Sequence, residues 1–169
     1  RAFSRANGFD QTIIEPDVPK LGIVTAGKSY LDTRQAMEEL GITEEMAAAI
    51  GIRLYKVGMP WPLEPEGALA FTDGLEEILV IEEKRALIEG QLKEQLYHAD
   101  RASQPRIVGK FDEAGAWMLP YAGELNPTLI ARVIAARIAR FHQSPTIKDR
   151  LKFLDAKEAQ LVKPKTDFA

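Results

Sequence analysis

The 169-residue sequence has no cysteine and only two histidines. Without a thiol the chain can form no disulfide, offers no thiolate nucleophile and holds no iron–sulfur or zinc–thiolate centre, and the absence agrees with a reducing compartment. His98 and His142 each fall at the end of an expected helix, where the dipole favours an imidazolium. Two lone imidazoles on different helices do not make a metal site. Neither sign of charge is in excess, since 22 basic against 25 acidic side chains leave −3. Affinity for a phosphate backbone or an anionic membrane rests on clustered Lys and Arg, so neither nucleic acid nor a membrane is an expected partner. No apolar run approaches the roughly 20 residues that span a bilayer, and the opening RAFSRANGFD lacks a signal peptide's apolar core. A soluble, cytoplasmic protein is expected.

What is present is an ordinary globular mixture, 46% hydrophobic and 28% charged. A chain of this length suits one domain that buries roughly two thirds of its unfolded surface. It begins at Arg1 without a Met and ends in the polar stretch 163–169, which leads us to expect an excised domain.

Apolar runs alternate with helix-spaced segments along the chain. Residues 1–20 read as an arm with one edge strand, Thr12 to Ile14, closed by Pro16 and Pro19, which exclude helix and remove ladder donors. Leu21 to Ala26 reads as a strand, Gly27 as a turn, and Leu31, Ala36, Met37 and Leu40 as the apolar face of a helix capped at Ser29 or Asp32 and ending near Leu40. Thr43 opens a short helix stopped by Gly51. Ile52 to Val57 is a second strand, followed by a loop whose prolines 60, 62 and 65 forbid regular structure. After a short helix from about Glu66, Ile78 to Ile81 reads as a strand buried on both faces, as in parallel sheets. The next helix, 86–97, places Leu87, Ile88, Leu92 and Leu96 on one face and Glu89, Lys93 and Glu94 on the other. Residues 105–109 supply a last short strand. Asn126 and Pro127 are the N-cap and first residue of a helix with a stripe of Leu129, Ile130, Val133, Ile134, Ile138 and Phe141. Arg132, Arg137 and Arg140 lie on it as a solvated or interdomain face. Residues 143–169 read as a helical or loose linker. The alternation implies an α/β three-layer sandwich with a mainly parallel sheet.

Gly22 to Ser29 matches the phosphate-loop pattern G-x-x-x-x-G-K-[ST], with Glu82-Glu83 in the place of an acidic strand end. A nucleotide hydrolase using Lys28, Ser29 and Glu82 is therefore one functional reading. The local context opposes it, because a phosphate loop needs a strand before its first glycine, and here the four intervening residues are themselves the strand. The competing reading is a strand, a glycine turn and a helix start decorated by Lys28 and Ser29. Glu82 and Glu83 point to opposite faces and cannot share one acid/base site; one of them capping a helix or pairing with Lys84 or Arg85 is the simpler role. The segments Gly58-Met59-Pro60-Trp61-Pro62 and Trp117 to Tyr121 carry exposed-type aromatics and prolines suited to a docking surface.

Four segments taken together, LGIVTAGKSYLDTRQAMEELGI (21–42), IRLYKVGMPWPLEPE (52–66), GLEEILVIEEKRALIEGQLKEQLY (74–97) and PRIVGKFDEAGAWMLPYAGELNP (105–127), resemble a transketolase C-terminal-type domain. Within that group they are most similar to the thiamine-diphosphate-dependent indolepyruvate ferredoxin oxidoreductases, in the large fused-chain form. The resemblance implies about five strands with one antiparallel edge strand, Thr12 to Ile14. It also implies a parent enzyme that oxidatively decarboxylates arylpyruvates to acyl-coenzyme A and passes electrons to ferredoxin, using thiamine diphosphate, magnesium and a 4Fe-4S cluster bound elsewhere. On this reading 21–142 is the domain proper, and 143–169 leads toward a diphosphate-binding domain. The 169 residues carry no catalytic or metal-ligating residue. Gly27, Lys28 and Ser29 are the weak candidates for cofactor contact, and coenzyme A or ferredoxin docking at this positive helix start is a further one. Gly58, Met59, Pro60, Trp61, Pro62, Trp117 and Tyr121 would face sister domains or a homodimer mate.

Overall fold

Most positions on both faces of the parallel strands are apolar, so both faces of the sheet must be covered. A computed structural model, which describes residues 1–97 and 104–162, shows how this is done. The described elements run α1 (Ala2–Ala6), β1 (Gln11–Ile14), β2 (Leu21–Ala26), α2 (Gly27–Glu39), α3 (Glu44–Ile50), β3 (Ile52–Val57), α4 (Pro65–Thr72), β4 (Glu77–Ile81), α5 (Leu87–Leu96), β5 (Arg106–Val108), α6 (Pro127–Ile138) and α7 (Pro145–Val162). The strands join in the order β1-β3-β2-β4-β5. β1 pairs antiparallel with β3, and the other pairings are parallel, with Ile23 opposite Leu54 and Leu79.

Alternation along each strand sorts the core into two clusters. Ile23, Leu54, Leu79 and Ile81 pack with α2, α3, α6 and α7 through residues such as Met37, Ala47, Ile134 and Leu154. Val24, Tyr55, Ile78 and Val80 pack on the opposite face with α4 and α5 through Phe71, Ile88 and Leu92. This is the three-layer sandwich that the alternation implies, with the one antiparallel edge strand that the resemblance implies.

Local signals set most boundaries. Thr43 accepts from the Met46 amide, Gly51 closes α3 at φ +94°, and Asn126 accepts from the Leu129 amide ahead of Pro127. Gly51 is needed there because its φ lies where a side chain is strained. Other expectations change. α2 begins at Gly27 with Ala26 as its N-cap and no side-chain cap, so Ser29 and Asp32 lie inside the helix rather than capping it. Leu87 is exposed, whereas Glu89 is buried, because the first turn of α5 turns that carboxylate toward Lys93 and the Lys110 amide. Residues 145–162 form one helix whose Ile147 and Leu154 enter the core, and Asp155 and Glu158 pair with Arg132 of α6. Arg137 is not on a solvated face: it is buried, with Nε 2.5 Å from Glu77 Oε1.

Candidate functional site

β2 is the first parallel strand, and the chain places β3 on one side of it and β4 on the other. Between β2 and β4 the connections leave in opposite directions, and a crevice opens at the strands' C-terminal ends, the place where open α/β sheets receive ligands. It has a volume of about 450 Å³, with Ala26, Lys28, Ser29, Pro60, Glu82 and Glu83 among its walls.

Lys28 is not free within it. Its Nζ lies 2.7 Å from Asp32, 3.1 Å from Glu124 and 3.6 Å from Glu83, and 3.4 Å from the Leu125 carbonyl. The hydrogen bonds to Asp32 and then Glu124 hold its pKa above the ordinary lysine value. Ser29 is a buried helical residue whose carbonyl accepts from the Thr33 hydroxyl, and so it does not decorate a loop. The two glycines have different roles. A Cβ on Gly22 would stand 2.5 Å from Leu75 Cδ1 and 2.6 Å from Phe71 Cζ, so this position brings α4 close to the sheet, while Gly27, at φ +54°, opens α2 with nothing within 4 Å of its missing Cβ. Residues 21–26 are strand throughout, which leaves no loop to wrap an anion.

Glu82 and Glu83 take separate roles. The Glu82 carboxylate accepts from the Leu87, Ile88 and Glu89 amides at 3.0, 2.8 and 3.1 Å, capping α5 where the dipole favours negative charge. Burial pushes its pKa up, and those three amides oppose the shift. Glu83 Oε1 is buried, has no hydrogen-bond partner and faces Lys28. Lys84 follows at φ +56°.

Behind the crevice stands Lys110, 1% exposed. Its Nζ donates to the Glu82 carbonyl at 2.5 Å and the Pro120 carbonyl at 3.1 Å, and lies 5.6 Å from the Tyr121 ring centre. Burial lowers its pKa, partly offset by Glu82, Glu89 and Glu83. Nothing local in PRIVGKF marks this lysine as interior, since both partners are main-chain oxygens distant in sequence.

The aromatic candidates occupy two places. Trp61 is 65% exposed and joined through a cis peptide bond to Pro62, and the preceding Pro60 carbonyl accepts from Gln91 at the crevice wall. Gly58 and Met59 are held by the chain's own arm, their amides donating to Asp10 Oδ1 at 2.8 and 3.3 Å. Trp117, 62% exposed, and Tyr121, 40% exposed, cluster with Phe111, with ring centres 4.8 to 6.1 Å apart. Lys110 and the Glu124–Lys28 pair connect that cluster to the crevice. His142 sits beyond α6 with its amide on the Ile138 carbonyl, and His98 lies outside the described residues. Among the described residues no group of three or more His, Asp or Glu side chains is placed to hold a metal ion, and no helix is long and apolar enough to cross a membrane.

A family model for the indolepyruvate oxidoreductase domain matches residues 11–161. The indolepyruvate oxidoreductase subunit IorA of Thermococcus kodakarensis is 35% identical over 92 residues, which are 54% of this chain and 13% of that protein. Its counterpart in Pyrococcus abyssi is 32% identical over 96 residues, 56% of this chain and 13% of that protein. The matches thus take in about an eighth of the length of these curated relatives. In fold, 80% of the chain superimposes on 21% of the 2-oxoglutarate:ferredoxin oxidoreductase of Magnetococcus marinus, solved with 2-oxoglutarate, coenzyme A and succinyl-CoA bound, at a TM-score of 0.51 and 18% identity.

Proposed function

The chain belongs to the indolepyruvate oxidoreductase domain family, and from that premise we propose that it is the structural and interface domain of an enzyme that oxidatively decarboxylates arylpyruvates such as indolepyruvate to acyl-coenzyme A, with ferredoxin as electron acceptor. The observation that carries this reading is the state of the strand ends. Lys28, Glu82 and Lys110 are each committed to internal partners, while Trp61 and Trp117 stand exposed beside them. Lys28, Glu82 and Lys110 are thus occupied in holding the fold, and exposed aromatics are the side chains that anchor interfaces.

We place the parent enzyme's thiamine diphosphate, magnesium and 4Fe-4S cluster outside this chain, which has no cysteine to ligate a cluster and, among the described residues, no group of three or more His, Asp or Glu side chains placed to hold a metal ion. We assign them to other domains and route no step through this one. We read residues 1–20 as an arm, 21–142 as the domain proper and 143–169 as leading toward a diphosphate-binding domain. Trp61, Trp117 and Tyr121 are assigned to contacts with sister domains or a homodimer mate. The phosphate-loop alternative finds no support in a strand that fills residues 21–26 and a Lys28 paired three ways.

Calorimetric titration of the chain with ATP, GTP, thiamine diphosphate and coenzyme A, each with magnesium, tests this reading. No binding is the expected result. Nucleotide binding that disappears in Lys28→Ala would overturn it, and binding of coenzyme A alone would make the domain a substrate-handling part of the same enzyme.

A further inference from the structure

At the end of the sheet opposite the crevice, where β2, β4 and β5 begin, a second pocket of about 280 Å³ has Glu77, Arg106, Arg137, Arg140 and Phe141 among its walls. Nothing in the reading above uses it, and its charges do not balance. Lys20 and Glu76, at its rim, form a pair of their own at 2.8 Å. What remains is three guanidiniums, those of Arg106, Arg137 and Arg140, around two carboxylates, Glu77 and Glu113. Among the described residues no third carboxylate lies within ion-pair distance of them, so one positive charge is unmatched.

The excess does not fall on Arg137, which is 6% exposed and meets Glu77 through Nε and Nη2 and Glu113 through Nη2. It falls on the two outer arginines. Arg106, 47% exposed, reaches Glu77 at 3.2 Å and Glu113 at 3.8 Å through Nη1 alone. Arg140, 45% exposed, reaches Glu113 at 2.5 Å, also through Nη1 alone. Both Nη1 atoms converge on Glu113 Oε1, so the two guanidiniums stand side by side, and the Nε and Nη2 donors of each have no partner among the described residues. A guanidinium presents its donors as a fixed fork that matches a carboxylate or a phosphate. The balance of charge favours the carboxylate. One positive charge is matched by one carboxylate, whereas a phosphate monoester brings about −1.5 to −2. Half-buried Phe141 beside the forks suits the methylenes of a side chain that carries the acid.

We propose that this pocket receives the carboxylate of a Glu or Asp side chain from a sister domain, the third acid of the network, with Arg106 and Arg140 as the residues that recognise it. It is a second docking face, at the sheet end away from Lys28 and Glu82. The source of the acid rests on the interface reading; the unmatched charge and the free donors do not.

Amide chemical shifts of the protein titrated at low salt with a blocked diglutamate peptide test this, with the diglutamine peptide and inorganic phosphate as the other probes. Saturable shifts are expected at Lys20, Arg106, Arg140 and Phe141 with the acidic peptide, none with the neutral one, and weaker binding of phosphate. Added salt should weaken the binding, because both arginines are about half exposed. The double variant Arg106→Gln with Arg140→Gln is expected to weaken it at least ~10-fold while the shifts of Ile23 and Val24 stay in place. No saturable shift at these amides in the wild-type protein overturns the proposal, whether or not the variant folds. Phosphate or the neutral peptide binding as tightly as the acidic one also overturns it. Equilibrium dialysis of the intact enzyme against the acidic peptide is expected to show no uptake, because the pocket is already filled. Uptake that disappears in the double variant overturns the assignment to a sister domain. Peptide binding in a protein whose assembly ignores Trp61→Ala and Trp117→Ala would defeat the aromatic interface alone, and absent binding beside an assembly that needs them would defeat this proposal alone.

Discussion

Arg137 of α6 and Glu77 at the start of β4, sixty positions apart in the chain, form a two-pronged ion pair with both side chains more than 90% buried. The pair fastens the helix layer to the sheet at the N-terminal end of β4, the end opposite the crevice. Arg106 also reaches Glu77, at 3.2 Å, but is 47% exposed and so contributes less.

Removing one partner leaves the other charge stranded in the interior. Arg137→Met is expected to lower unfolding free energy by about 3–5 kcal/mol, with Arg106 offsetting part of the loss. The double variant Glu77→Leu with Arg137→Met should recover most of it, since an apolar pair of similar volume needs no desolvation. Urea denaturation of the three proteins checks this. A single variant as stable as wild type would show that the pair is not closed in solution.

Glu113 gives the fold a dependence on acid. Its own backbone N–H, then the Arg137 guanidinium and further Arg140, hold its carboxyl down to about 2 from an ordinary 4.5. A depressed folded-state pKa means that the unfolded chain binds the proton first. The contribution of Glu113 is therefore full above about pH 4.5 and lost as pH falls toward 2. The difference in Tm between wild type and Glu113→Gln should be constant from neutral pH to about 5 and close on further acidification. A difference that does not change with pH would contradict the assignment.

Gly58 meets main chain rather than side chain. A Cβ there would lie 2.3 Å from the Phe9 carbonyl oxygen and 2.8 Å from its carbon, so the arm of residues 1–10 must move to admit one. Gly58→Ala is expected to cost about 1–3 kcal/mol and to free the arm. Because Arg5 is held by Glu64 and Glu66, trypsin should then cut after Arg5 sooner than in wild type. Unchanged cleavage would mean that the arm is not seated on this loop.

The strands and their order of appearance were legible because each is a short β-branched run bounded by glycine, proline or charge, as at Leu21–Ala26 and Ile52–Val57. The caps at Thr43 and Asn126 were legible because capping is a local event. The residues that misled are those whose partners are remote. Arg137 reads as one of three charges on a helix face until β4 brings Glu77 to it, and nothing in the sequence singles out Lys110, whose partners are remote carbonyls. In 145–162 the apolar anchors are few and widely spaced among charges, so periodicity alone leaves a helical and a loose linker both open. The packing of Ile147 and Leu154 on α6 is what holds it as a helix. At the crevice, the phosphate-loop letters were legible, and the strand geometry that disqualifies them was too.

On the function proposed above, the domain serves a larger enzyme through its exposed aromatics rather than through chemistry of its own. The most direct test is sedimentation velocity together with turnover of indolepyruvate in the intact enzyme carrying Trp61→Ala and Trp117→Ala. The account predicts weakened assembly and a parallel loss of turnover that higher protein concentration restores. Assembly and turnover both equal to wild type would contradict it.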